Sequence, residues 1–173
     1  IPRARELQTI NPAATIEIWL LKDAADYREH SRQMFGIEPT TPFGYFSQRH
    51  QAVVMDISTG GGTLVHELVH PLMAANFPEC PAWFDEGLAS LYEQCGDRNG
   101  RIWGHPNWRL RGLQRAIGEH RLYDFQTLCQ MQPTEFYQQS GALGYAQARY
   151  LCFYLQEMGK LREYYHRFRS AVD

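Results

Sequence analysis

Between Thr63 and Ala75 the apolar residues Leu64, Val65, Leu68, Val69, Leu72 and Met73 recur at helical spacing, a pattern that predicts a helix with a broad buried face. Within that run lie three strongly polar side chains, in the order His66-Glu67-Leu68-Val69-His70. Burying such groups without partners costs roughly 2–7 kcal/mol each, so the fold must supply a compensation. Residues four apart share a helix face, and His66 and His70 can therefore aim two imidazoles at one point with Glu67 beside them. The ordinary alternative is a pair of helix histidines satisfied by local hydrogen bonds.

The spacing is that of an HExxH motif, in which both imidazoles bind one metal ion and the glutamate takes a proton from a metal-bound water. The surroundings suit it. Val53 to Ile57 reads as a strand, residues 58–62 as a turn leading into the helix, and Thr59 or Thr63 as its cap. A catalytic zinc takes three protein ligands, and the third is sought downstream in Pro81-Ala82-Trp83-Phe84-Asp85-Glu86-Gly87-Leu88-Ala89-Ser90-Leu91-Tyr92. Pro81 suits a first helical turn, and a turn near Asn76-Phe77-Pro78 would let this second helix bring Glu86 back to the histidines. Asp85 is the rival ligand, or else an acceptor for a histidine N–H. Gly87, a poor helix residue, fits a place where another backbone or a substrate comes close. Pro71 removes one hydrogen bond and is expected to bend or end the first helix.

The two segments together resemble the gluzincin metallopeptidases, and most closely the branch with a WLxEG-type second motif, which includes aminopeptidases and smaller peptidase MA-like proteins. The resemblance covers residues 53–92, under a quarter of the chain. It implies a zincin-like α+β fold, zinc at His66, His70 and Glu86, and Glu67 as general base. It also implies a peptide or protein substrate held on the edge strand beside the site helix, taken to be residues 52–57. The gap between the motifs is shorter than in the large aminopeptidases. No GxMEN-like segment precedes HExxH, since Gly44-Tyr45-Phe46 carries no glutamate, and aminopeptidase specificity is not carried over.

In related gluzincins a tyrosine or histidine assists zinc in stabilising the tetrahedral intermediate. Gly144-Tyr145-Ala146-Gln147-Ala148-Arg149-Tyr150-Leu151 looks like the C-terminal helix of the small MA-like group, which makes Tyr145 the candidate; its ordinary reading is a core tyrosine. Arg149 shares its face and would bind a substrate carboxylate or pair with a surface acid. His105, in an aromatic-rich loop, would line the cleft or simply precede a helix. His30, His50, His120 and His166 have no partner at ligand spacing.

The 173 residues suit a single catalytic domain: an α+β part over about 1–57, the site helices over 58–95 and a mostly helical part over 96–173. In the first part, Thr15 to Leu21 reads as a strand, Asp23 as the cap of a helix running to Phe35, and 43–48 with 52–57 as a hairpin. In the last, helices are expected at about 106–119, 124–131, 133–139, 141–158 and 160–171, after a turn over 96–100. The net charge of −2 and the lack of a basic run argue against a nucleic-acid partner. Arg109, Arg111, Arg115 and Arg121 read as a solvated helix face. No apolar run is long enough for a membrane span. The chain begins at Ile1 rather than Met, so its start reads as processed or trimmed, and the compartment is left open. Cys80 and Cys95 flank the second site helix, about 20 Å long if it fills 81–95, beyond disulfide reach; a Cys129–Cys152 pair is open. Two other readings stand beside the peptidase. One is a catalytically silent zinc-binding module that serves in regulation or interaction; the other is a helical scaffold without metal. An inhibitory segment or regulatory partner is compatible with the first two.

Overall fold

The computed structural model describes residues 15–172; the first fourteen residues of the expected N-terminal part lie outside them. The order is β1 (Glu17–Leu21), α1 (Ala24–Phe35), β2 (Gly44–Ser47), β3 (Ala52–Asp56), α2 (Gly61–Asn76), α3 (Ala82–Tyr92), β4 (Cys95–Arg98), β5 (Arg101–Gly104), α4 (Arg109–Gly118), α5 (Phe125–Gln130), α6 (Pro133–Glu135), α7 (Gly141–Glu157) and α8 (Leu161–Val172). This is a mixed α+β arrangement, with α1 between the first two strands, the β4–β5 hairpin after the site helices, and only helices beyond it. Asp23 caps α1 as its position suggests, accepting from Ala25 N at 3.0 Å and Asp26 N at 2.9 Å, and Gly36 ends the helix at φ 63°.

The three-stranded sheet has the order β1-β3-β2, with β1 parallel and β2 antiparallel to β3. The unbroken apolar run of β3 therefore belongs to a central strand; Ala52, Val53, Val54 and Met55 are all fully buried. This corrects the expectation that residues 52–57 form the edge beside the site. The edge on that side is β2, whose Gly44 lies so close to α2 that a Cβ there would sit 3.3 Å from the Glu67 side chain.

Neither threonine caps α2, whose N-cap is Gly60 at φ 100°, with no side-chain cap. Thr59 Oγ1 donates instead to the Asp56 carbonyl at 2.7 Å, closing a short 3-10 turn that leads into the helix. Pro71 does not end α2, which continues to Asn76. The missing N–H costs one hydrogen bond, and Pro71 and Met73 are both buried in the continuing helix. Residues 96–100 are not a bare turn: β4 and β5 form a hairpin around Asn99 and Gly100, at φ 58° and 75°. The segment expected as a 133–139 helix is one α turn followed by a π-helical turn, Phe136–Ser140.

Beneath the site, Trp83, Phe84, Leu88 and Leu91 of α3 pack with Met73, Phe77, Phe136, Cys152 and Tyr165. A smaller cluster of Leu21, Tyr27, Ala52 and Val54 lies between the sheet and α1. Gly87 lets α3 approach α7, for a Cβ there would stand 2.9 Å from both the Ala148 carbonyl oxygen and Cys152 Sγ. All four cysteines are free thiols, Cys129 and Cys152 included. Among the described residues, no helix is long and apolar enough to cross a membrane.

Candidate metal centre

His66 and His70 descend from consecutive turns of α2, and Glu86 rises from the second turn of α3. One ligand atom of each lies within 4.8 Å of the others. His66 Nε2 stands 3.2 Å from Glu86 Oε2, and His70 Nε2 4.0 Å from Glu86 Oε1. A tetrahedral zinc with bonds of roughly 2.0–2.2 Å needs donor atoms about 3.4 Å apart; the His66–Glu86 Oε2 pair is near that spacing, and His70 Nε2 is 4.0 Å from the other oxygen of the same carboxylate.

The remote ring nitrogens are held alike. His70 Nδ1 lies 3.0 Å from Asp85 Oδ2, and His66 Nδ1 lies 3.4 Å from Glu93 Oε2. With Nδ1–H donated to a carboxylate, each neutral imidazole turns its Nε2 lone pair toward Glu86. Glu86 Oε2 is buried and has no hydrogen-bond donor. Two acceptors facing each other at 3.2 Å repel unless a cation or a proton stands between them. The donor set thus fits a divalent metal. In the metal-free chain a proton takes that role: burial pulls His66 down, but Glu86 and Glu93 outweigh it and raise it to about 10. His70 is likewise raised, with Asp85 overcoming burial. Burial pushes Glu86 up, yet the two histidines and the Tyr137 hydroxyl hold it below the usual carboxylate range.

Glu67 lies beside the set, 7 % exposed. Burial raises its pKa; the two histidines oppose the shift, and the neighbouring carboxylates add to it. Tyr145, the candidate on α7, lines the same cleft. Its ring packs on Phe136 at 5.1 Å, and burial together with the charges of Glu86 and Glu67 keeps its hydroxyl protonated. Asp85 takes the hydrogen-bonding place rather than the ligand place, because it holds His70 from behind.

Two sequence expectations fail. Arg149 neither faces substrate nor pairs with a surface acid: it is fully buried, donates from Nε to the Ser90 carbonyl at 2.9 Å, and donates from a terminal nitrogen to the His105 carbonyl. His105 lies away from the cleft lining and contributes its backbone to that contact. Tyr145 and Arg149 share a face of α7 but have different surroundings, the first lining the cleft and the second buried against backbone carbonyls. The arginine cluster also divides, since Arg109 pairs with Glu93 while Arg111 and Arg115 stay exposed.

Two neighbours of the candidate ligands, Glu93 and Tyr137, escaped the sequence reading. Glu93 sits seven residues, two helical turns, after Glu86 and so on the same face of α3, a signal that was there to use. Asn107 and Arg109 hold it from α4's approach, Asn107 Nδ2 at 3.2 Å. Tyr137, whose hydroxyl interacts with Glu86, is delivered by the π turn, for which the sequence carries no periodic mark. The cleft is about 960 Å³ and is walled by β2, α2, α3 and the approach to α7. No family model matches this chain, and no curated protein or solved structure matches it either.

Proposed function

We propose that this chain is a zinc-dependent metallopeptidase of gluzincin type with a zincin-like fold. His66, His70 and Glu86 would hold the metal, Glu67 would be the general base, and Tyr145 would stabilise the charge that develops on the carbonyl oxygen. The observation that carries the reading is the paired arrangement in which both Nδ1 atoms face carboxylates while both Nε2 atoms face Glu86. Zinc in such a set acidifies water and polarises a carbonyl.

The chain's own groups account for the proton traffic. Water adds to the carbonyl carbon of the substrate, the C–N bond breaks, and the products are a carboxylate and an amine. Glu67, whose carboxyl burial pushes above the usual range, removes the water proton and delivers it to the departing nitrogen. Tyr145 keeps its proton and can donate a hydrogen bond to the developing oxyanion. β2, the outer strand on the cleft side, would take the substrate-pairing role past Gly44, whose N–H and carbonyl are already bonded to Thr41 Oγ1.

Elemental analysis and digestion of an unfolded protein test this together. Expected are one zinc per chain, lost in His66→Ala, and cleavage reduced about 10²–10⁴-fold in a zinc-loaded Glu67→Gln variant. Cleavage by Glu67→Gln at the wild-type rate sinks the assignment of the base. Zinc bound tightly with no hydrolysis of any peptide would make the chain a binding module instead.

A further inference from the structure

Building on the peptidase reading, we infer that the cleft accepts the interior of an extended polypeptide and anchors neither of its ends. The charged side chains of the cleft support this. Beyond the three candidate ligands and Glu67, the described lining has three charged residues: Asp85, Glu93 and Arg109. Asp85 is held by His70. Glu93 is held by His66, Asn107 and Arg109. The Arg109 side chain is 14 % exposed and turned toward Glu93.

A carboxypeptidase needs a free cation for the terminal carboxylate. Arg109 could serve only by leaving Glu93, which would strand a half-buried carboxylate, and such charges are costly to leave unpaired. An aminopeptidase needs a free carboxylate for the terminal ammonium. Glu67 is committed to proton transfer, and Asp85 and Glu93 orient the histidines.

The surfaces left for substrate are uncharged. They are the edge of β2 past Gly44, whose own N–H and carbonyl are taken by Thr41 Oγ1 at 3.3 and 2.9 Å, and three exposed aromatic side chains on the cleft wall: Phe43 (54 % exposed), Tyr137 (50 %) and Trp108 (69 %). Backbone amides and apolar side chains suit these surfaces, and both are supplied by the middle of a chain. The substrate class is therefore an unfolded or extended segment with apolar residues flanking the cut bond.

The test uses a twelve-residue peptide with apolar central residues, made once with free ends and once acetylated and amidated. Zinc-loaded Glu67→Gln is expected to bind both with Kd values within threefold, and Phe43→Ser in that background to weaken both at least threefold at unchanged zinc content. Wild-type protein is expected to cut the blocked peptide internally. Binding weakened tenfold or more by blocking either end, or release of single terminal residues from the free peptide alone, overturns the inference while leaving the peptidase reading standing. Zinc-loaded protein that neither binds nor cuts either peptide overturns the peptidase reading and this inference with it.

Discussion

At the scale of single residues, the proposed site would depend on the two carboxylates behind the histidines as much as on the candidate ligands. Asp85 and Glu93 fix which imidazole nitrogen carries the proton, and so leave Nε2 free to bind. Asp85→Asn and Glu93→Gln are each expected to weaken zinc binding about 10–100-fold, read by competition with a chromophoric chelator, with the fold intact by circular dichroism. The pH dependence follows from His66. Its pKa in the metal-free folded chain is raised to about 10, above the 6.5 of an unperturbed histidine. Its proton therefore stabilises the metal-free fold fully below about pH 6.5, and that contribution is lost as pH rises through 10. The same proton must leave when zinc binds, so zinc affinity should increase with pH between 6.5 and 10. A zinc affinity that stayed flat or fell over this range would remove His66 from the ligand set. The histidines, Glu86 and Asp85 were legible in the sequence because their relations are local: four residues along one helix, and adjacent positions on the next. Arg149 was misread because its partners are carbonyls 59 and 44 residues away, contacts that no local pattern encodes.

At the scale of elements, the position of Glu86 depends on how closely α3 lies against α7. Gly87 sets that distance, with the Ala148 carbonyl and Cys152 Sγ both 2.9 Å from where a Cβ would be. Gly87→Ala should favour the isolated helix by roughly 0.8–1.0 kcal/mol and still destabilise the protein, since overpacking a filled core costs about 1–3 kcal/mol. Urea denaturation is the measurement: a lower midpoint at unchanged slope is expected, and a midpoint at or above the wild-type value would mean that the α3–α7 contact is looser than described. Most element boundaries followed from caps, glycines and periodicity, as at Asp23, Gly36 and the α2–α3 turn. The order of strands in the sheet did not, because a buried apolar run looks the same whether it lies at the centre or the side of a small sheet, and pairing is decided across the chain. The β4–β5 hairpin did carry its local mark, Asn99-Gly100.

At the scale of the whole molecule, the candidate ligands come from two differently anchored helices. α2 leaves the buried central strand of the sheet, while α3 is the centre of the larger helical core. A metal shared by His66, His70 and Glu86 would tie these parts together, and its binding free energy would then add to folding stability. At free zinc about 1,000 times the dissociation constant, the gain is about 4 kcal/mol. For a chain of 150–250 residues, each kcal/mol moves Tm by about 2–4 °C, so removing zinc with a chelator should lower Tm by roughly 8–16 °C. Calorimetry of the zinc-loaded and chelated protein tests this. The metal-free chain should keep its helical circular dichroism at low temperature, because both hydrophobic clusters form without the ion. His66→Ala should gain little from added zinc and melt below the chelated wild type at neutral pH, having also lost the His66 proton that stabilises the metal-free fold, whereas Glu67→Gln should retain most of the zinc-dependent rise. A chelated protein that has lost its zinc yet melts where the loaded one does would show that the ion binds without joining α2 to α3, and the three residues would then not act as a common ligand set.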